Sequence, residues 1–227
     1  MTDIKKILTT VTRSPLLCPG KDIALTMLLL DRSSSMSQYG ETPLRSANEC
    51  IDTLRHQAGA KSTLAGLWTF ADDVTNDIPI QPLINLPQLA GYDACGNTAL
   101  YDAVGNALHM GLELQNAAKN RHGVKMHVAV SVITDGEDTC SRHPRQRLVT
   151  FAQHAKDAGF ALQVIGIGID HVHLAQVLGF EPGYSCTVDN TVAGVRQATH
   201  TASVLFSRTM MYGNPRDSSQ PPSSDSR

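Results

Sequence analysis

Five side chains from three separate segments of the chain carry oxygen atoms that could bind one metal ion. They are two carboxylates and three hydroxyls, namely Asp31, Ser33, Ser35, Thr98 and Asp135. Oxygen ligands suit a hard divalent cation, and a set with few carboxylates suits Mg²⁺ that keeps some of its waters. Ser33 and Ser35 alternate in a turn, which can place both hydroxyls on the same side. The pattern therefore predicts a site for Mg²⁺, with Mn²⁺ as the alternative ion.

The charges of this set indicate how such an ion would react with other molecules. Asp31 and Asp135 supply two negative charges, which only balance those of a divalent cation. The hydroxyls add dipoles without charge, so the ion can still accept another carboxylate. We therefore expect a partner protein to complete the coordination with an Asp or Glu side chain.

The five side chains fall at the ends of elements in an alternating pattern of strands and helices. Residues 23–30, 127–133 and 160–167 are apolar runs typical of strands covered on both faces, and residues 64–74 and 79–84 predict two further strands. Apolar residues three and four apart predict helices over residues 42–58, 100–112, 148–158 and 192–206. This order predicts an α/β fold, an open and mostly parallel sheet with helices on both faces. Ligands bind such sheets beyond the carboxyl ends of the strands.

At these residues the chain resembles the von Willebrand factor A (VWA) family. The metal ion-dependent adhesion site (MIDAS) of that family follows the pattern D-x-S-x-S, then a distant Thr, then a distant Asp, and all five positions are matched in order. The resemblance covers about residues 23–211 and includes G-N-T-A-L-Y-D-A at 96–103 and I-T-D-G-E-D-T at 133–139. It implies a Rossmann-like fold and a stand-alone, bacterial-type protein of an intracellular multi-protein system. It also implies that Ser33, Ser35 and Thr98 contact the ion directly, and that Asp31 and Asp135 act partly through water.

An enzyme that uses the same ion to polarise a phosphoester or to activate water is the alternative. Glu137 and Asp138 are the only candidates for a general base near the predicted site. A phosphatase that forms an aspartyl phosphate on Asp31 needs a second Asp two residues later, where this chain has Ser33. We therefore favour a non-catalytic, protein-binding module.

The composition argues against several other classes of protein. A formal net charge of −2 and 5% aromatic residues argue against nucleic-acid binding, and no apolar stretch approaches the ~20 residues of a membrane span. The five cysteines form no Cys-x-x-Cys pair and no export signal is evident, so we expect a cytoplasmic protein with reduced thiols. Residues 1–20 are predicted to be an N-terminal extension, 21–212 the VWA domain and 213–227 a disordered tail.

Three side chains near the predicted site have open roles. Arg32 lies inside D-x-S-x-S, and we expect it to stay solvated, to steer an acidic partner, or to pair with Glu137 or Asp138. Cys95 and Cys140 should lie on the loops that form the site, where their thiols could bridge under oxidation or one of them could be a reactive thiol.

Two glycines fall inside the second predicted helix. Gly105 and Gly111 should each cost that helix about 1 kcal/mol relative to Ala. We expect close packing of the helix against the sheet to be the reason for both.

Overall fold

The computed structural model describes Val11, Ser14 and residues 16–213 of the chain. In this part, six strands form one sheet with the order β3-β2-β1-β4-β5-β6. Only β3 runs antiparallel to its neighbour. The strands are β1 (Ile23–Asp31), β2 (Thr63–Phe70), β3 (Val74–Pro82), β4 (Met126–Thr134), β5 (Ala161–Ile167) and β6 (Cys186–Val188). The predicted open, mostly parallel α/β sheet is confirmed.

Helices cover both faces of this sheet. They are α1 (Thr42–Arg55), α2 (Leu100–His122), α3 (Arg145–Asp157), α4 (His171–Leu178) and α5 (Val192–Tyr212). The apolar residues of α1 and α5 pack on one face, and those of α2, α3 and α4 pack on the other. None of the described helices is both long and apolar enough to cross a membrane.

Strand β1 lies near the middle of the sheet, which explains why its sequence lacks alternating polar residues. Leu25, Met27 and Leu29 pack in the cluster that contains α2, α3 and α4. Leu28 and Leu30 point the other way and pack in the cluster that contains α1 and α5. Because each of these side chains is at most 4% exposed, and full burial is worth about 1.5–3 kcal/mol for such a residue, both faces of the strand stabilise the fold.

The two glycines inside α2 have different surroundings. A Cβ on Gly111 would lie 2.8 Å from Phe160 Cε2 and 2.9 Å from Met27 Cε, so the predicted close packing is confirmed there. A Cβ on Gly105 would meet no atom within 4 Å. The prediction of close packing is therefore wrong for Gly105, whose cost to the helix has no packing reason.

Several boundaries differ from the sequence-based expectations. Residues 64–74 contain all of β2 except its first residue, a tight turn at 71–73 and the first residue of β3, because the chain reverses there into an antiparallel hairpin. Strand β6 was not predicted, since three residues are too few to show a periodic pattern. Helix α1 ends at Arg55, and a 3₁₀ turn, Ala58–Ser62, follows it before β2.

The predicted N-terminal extension contributes to the core where it is described. Val11 and Leu17 are buried in the same cluster as α2 and α3. The predicted disordered tail, residues 213–227, lies outside the described residues except for Gly213.

Candidate metal centre

The predicted metal ligands lie where the order of the strands reverses. Strands β2 and β3 follow β1 in the sequence and lie on one side of it in the sheet. The next strand, β4, lies on the other side of β1. Asp31 is the last residue of β1 and Thr134 is the last residue of β4. The loops that leave these neighbouring strands therefore diverge at the carboxyl edge of the sheet, which is the usual ligand position in open α/β folds.

Hydrogen bonds connect four of the five predicted ligands in a series. The Ser33 N–H donates to Asp31 Oδ1 at 2.7 Å. Ser33 Oγ lies 3.1 Å from Ser35 Oγ, and Ser35 Oγ donates to Asp135 Oδ1 at 2.7 Å. The structure thus brings two carboxylates and two hydroxyls from distant segments into direct contact.

Thr98 reaches the same edge from the loop before α2. Its N–H donates to Thr139 Oγ1 at 2.9 Å, and its carbonyl oxygen accepts from Thr139 N–H at 2.8 Å. A Cβ built on Gly136 would lie 3.8 Å from Thr98 Oγ1, so this hydroxyl lies beside the residue that follows Asp135. All five predicted residues are therefore close to one another.

The two carboxylates are held in an unfavourable electrostatic environment. Asp31 is 0% exposed, and burial raises the pKa of its carboxyl to about 6, although hydrogen bonds from Thr134 and Ser33 lower it. Burial also raises the pKa of the half-buried Asp135, against a hydrogen bond from Ser35. In the described part of the chain, neither carboxylate forms an ion pair. Two carboxylates therefore lack a positive partner.

This donor set fits a hard divalent cation that binds through oxygen. The described residues contain no group of three or more His, Cys, Asp or Glu side chains that could hold a metal, which agrees with a set in which most members are hydroxyls. The residues that would hold the ion are Asp31, Ser33, Ser35, Thr98 and Asp135. Such an ion would supply an electrophilic centre able to attract one more carboxylate.

Sequence reasoning missed two residues that position Asp31. Thr134 Oγ1 donates to Asp31 Oδ2 at 2.5 Å and also lies within hydrogen-bond distance of the Gly136 N–H and carbonyl oxygen. The Tyr92 hydroxyl donates to the Asp31 carbonyl oxygen at 2.5 Å. The place of Thr134 at a strand end beside Asp135 was a usable signal, whereas Tyr92 lies in an irregular loop with no local pattern.

A third missed residue, Asp72, anchors the loop that carries Thr98. Asp72 Oδ1 accepts hydrogen bonds from the Asn97 N–H at 3.0 Å and from Asn97 Nδ2 at 2.8 Å. Gly96 has a φ of 79°, and a Cβ there would collide with the Asp72 carboxylate. Glycine is thus required next to Asn97 for both backbone and steric reasons.

Arg32 turns away from its predicted partners. Its guanidinium donates to Asp73 Oδ1 at 2.6 Å, and 18% of its side chain is exposed. Glu137 instead pairs with His173 at 3.3 Å, and Asp138 accepts from backbone and hydroxyl groups. The prediction that Arg32 pairs with Glu137 or Asp138 is wrong, because the turn between β2 and β3 supplies a closer carboxylate.

Cys95 and Cys140 lie on the loops that form the site, as predicted. The Cys95 N–H donates to the Arg32 carbonyl oxygen at 2.8 Å. The Cys140 N–H donates to the Thr98 carbonyl oxygen at 3.4 Å. Both cysteines are free thiols; Cys95 is exposed and Cys140 is partly buried. A bridge between them under oxidation stays a prediction.

Comparisons with solved structures show the same fold at low sequence identity. The pilus adhesin SpaC from Lactobacillus rhamnosus GG, in its open conformation, has a TM-score of 0.63 and 13% identity over 85% of this chain and 31% of the adhesin. A von Willebrand factor type A structure from Catenulispora acidiphila has a TM-score of 0.58 and 16% identity over 83% of this chain and 43% of its own. Proximal thread matrix protein 1 from the mussel byssus, with a zinc-occupied MIDAS motif, has a TM-score of 0.56 and 16% identity over 82% of this chain and 48% of its own.

The chain therefore spans less than half of each of these neighbours, and their likeness concerns the fold alone. No curated protein matches the sequence. The family model of the von Willebrand factor type A domain matches residues 26–200, which is most of the chain. The chain belongs to the von Willebrand factor type A domain family.

Proposed function

We propose that this protein binds a partner protein by capturing one of its Asp or Glu side chains on an Mg²⁺ or Mn²⁺ ion at the candidate metal centre. Domains of this family are commonly metal-dependent interaction modules, and the structural neighbours include an adhesin and a matrix protein. The observation that carries the proposal is the hydrogen-bonded series from Asp31 to Asp135, whose two carboxylates form no ion pair with any described residue.

The chain's own residues hold these oxygens in place. Thr134 Oγ1 and the Ser33 N–H occupy one lone pair on each oxygen of Asp31, which fixes the orientation of the carboxylate. The Ser33 and Ser35 hydroxyls each retain acceptor lone pairs that a cation can use. Because Asp31 and Asp135 only balance a divalent charge, the centre favours a further carboxylate from outside.

No specific observation favours the phosphoesterase alternative. Glu137 is engaged with His173 at 3.3 Å. Asp138 accepts hydrogen bonds from the Tyr101 N–H and the Ser141 hydroxyl. A general base must be able to accept a proton from the reacting group, and both candidates already have partners within the chain.

We also propose a cytoplasmic location, within a multi-protein assembly. The support is that all five cysteines carry free thiols, which is usual in a reducing compartment. Nucleic acid and membranes are not proposed as partners, because a net charge of −2 gives no attraction to phosphate-rich surfaces. Fractionation of cells that express the full chain tests the location, and recovery of the protein outside the cytoplasm would contradict it.

Direct measurement of metal binding is the first test. Mn²⁺ is titrated into the full chain and followed by electron paramagnetic resonance, with Mg²⁺ as competitor. We expect Ser33→Ala to weaken Mn²⁺ binding by about tenfold or more, because even indirect supports of a metal site cost about 10–100-fold. Ser34→Ala is the matched control, since the Ser34 hydroxyl donates to the Gly96 carbonyl oxygen at 2.9 Å. Equal losses in both variants would contradict the assignment of the ligands.

Capture of a carboxylate is the second test. Two immobilised peptide libraries are compared, identical except that the fixed central residue is Asp in one and Asn in the other. We expect retention that requires Mg²⁺, the central Asp and an intact Ser33. Absence of retention on the Asp library with Mg²⁺, or retention that survives EDTA, would refute the proposed function.

A further inference from the structure

A second cluster of polar side chains lies outside the metal centre, in a cleft between α2 and α3. Helix α2 contributes Gly105, Asn106 and His109, and the start of α3 and the loop before it contribute His143 and Arg147. The cleft has a volume of about 30 Å³. Because one water-sized group needs about 10–15 Å³ by this measure, the cleft holds only a few such groups and is too small for a nucleotide.

Several hydrogen-bonding groups that face this cleft have no partner within the described part of the chain. They are the side-chain amide of Asn106, the ring nitrogens of His109 and the guanidinium of Arg147; Asn106 and Arg147 are exposed, and His109 is partly buried. Arg147 lies 5.7 Å from the centre of the Phe151 ring, and the His109 ring lies 5.3 Å from the same centre. Phe151 thus lies near both an arginine and a histidine.

Asp102 is the only carboxylate among the described residues that line the cleft, and nearby donors already satisfy it. It accepts hydrogen bonds from the N–H groups of Arg142 and His143, both at 3.0 Å, and lies 2.7 Å from His143 Nδ1. Burial opposes ionisation of Asp102, but these hydrogen bonds outweigh it and lower its pKa. Asp102 thus occupies Nδ1 of His143 and leaves Nε2 of the ring for another group.

Gly105 leaves free space on the side of α2 that lines the cleft. A glycine inside a helix is unfavourable, and packing does not explain this one, since a Cβ would meet no atom within 4 Å. A larger side chain at this position would occupy free space within the cleft. The glycine therefore preserves room for a small ligand.

We propose that this cleft binds a phosphoryl group, with Arg147 as a cationic ligand and with Asn106, His109 and His143 as further hydrogen-bonding ligands. Arginine provides the charge-assisted hydrogen bonds that oxyanions prefer, and Asp102, the one carboxylate among the described residues that line the cleft, is already engaged. The ligand is either inorganic phosphate or a phosphorylated side chain of a partner. This site is independent of the proposed function of the metal centre.

Calorimetric titration of inorganic phosphate into the full chain tests the proposal. The titrations contain EDTA and use a Ser33→Ala background, so that a metal ion at the other site cannot bind the phosphate. The buffer is at about pH 6, below the usual histidine pKa of about 6.5. The titratable and charged groups that line the cleft are Tyr101, Asp102, His109, His143 and Arg147.

We expect Arg147→Gln to weaken phosphate binding by about tenfold or more, as loss of a charge-assisted hydrogen bond predicts. Arg142→Gln is the matched control, because the side chain of this neighbouring arginine does not line the cleft; its effect should be under about twofold. Gly105→Leu places its Cβ where no atom lies within 4 Å, and we expect its longer side chain to abolish binding.

Two further measurements locate the site and distinguish free phosphate from a phosphorylated side chain as its ligand. Imidazole NMR signals of His109 and His143 should shift when phosphate is added. A phosphoserine peptide that binds more tightly than phosphate assigns the site to a phosphorylated partner, and weaker binding assigns it to the free anion. No binding at millimolar phosphate, or equal binding by wild type and Arg147→Gln, would overturn the proposal, whatever the result at the metal centre.

Discussion

Replacing Asp31 by Asn should stabilise the metal-free protein. Asn has nearly the same shape, and its side-chain oxygen can accept the Ser33 N–H as Asp31 does at 2.7 Å. Its amide nitrogen can donate to Thr134 Oγ1, whose hydroxyl can donate instead to the Gly136 carbonyl oxygen, 3.0 Å away. The substitution therefore removes a buried charge and leaves the surrounding hydrogen bonds satisfied.

The raised pKa of Asp31 sets the size of the effect. Burial raises this pKa from 3.8 to about 6, and each pKa unit corresponds to about 1.36 kcal/mol. Ionised Asp31 should therefore cost the folded, metal-free protein about 3 kcal/mol at pH 7. A carboxyl with a raised folded-state pKa stabilises the fold below its unfolded-state pKa, and this contribution is lost as pH rises through the folded-state value. The wild type should thus lose stability between about pH 4 and pH 7, relative to Asp31→Asn.

Urea unfolding in EDTA measures this difference, with fluorescence of the single tryptophan, Trp68, as the signal. Trp68 is 5% exposed, so its emission should change on unfolding. Asp31→Asn should be more stable than the wild type by up to about 3 kcal/mol at pH 7 and nearly equal to it at pH 4. Mg²⁺ should stabilise the wild type and leave Asp31→Asn unaffected, since only a ligand that binds the folded state adds stability.

Asp102→Asn is a control with the opposite sign. Hydrogen bonds that outweigh burial lower the pKa of Asp102, so this carboxylate stabilises the fold above its unfolded-state pKa. Asp102→Asn should be less stable than the wild type at pH 7, and the difference should shrink as pH falls through the folded-state pKa. If Asp31→Asn is destabilising at pH 7, or if its gain persists at pH 4, the account of a strained, buried carboxylate is refuted.

Two further predictions concern the core and the thiols. Gly111→Ala should destabilise the protein by about 1–3 kcal/mol, because its Cβ would lie 2.8 Å from Phe160 Cε2. Gly105→Ala should be neutral or stabilising by up to about 1 kcal/mol; equal effects in urea titrations would contradict the packing described for α2. Burial raises the pKa of Cys50 to about 12, so a thiol reagent should modify the exposed Cys95 in the native protein and Cys50 only after unfolding. Rapid native labelling of Cys50 would refute this.

Local patterns in the sequence were sufficient to predict the main strands and the candidate metal ligands. The apolar run of β1 is visible because both faces of a central strand are buried, and Asp31 follows it directly. Residues two apart in a turn, such as Ser33 and Ser35, keep their relation whatever the rest of the chain does. Position along the chain therefore determined which side chains gather at the carboxyl edge of the sheet.

Contacts between distant segments were decided by the tertiary structure alone. Arg32 pairs with Asp73, and Tyr92 donates to the Asp31 carbonyl oxygen, because the β2–β3 turn and an irregular loop pack beside the end of β1. Gly105 and Gly111 are equivalent in sequence terms, but only Gly111 lies against a side chain from another element. Sequence periodicity records which face of an element is apolar. It does not record which neighbour covers that face, and this neighbour determines the charge, the strain and the open space of each site.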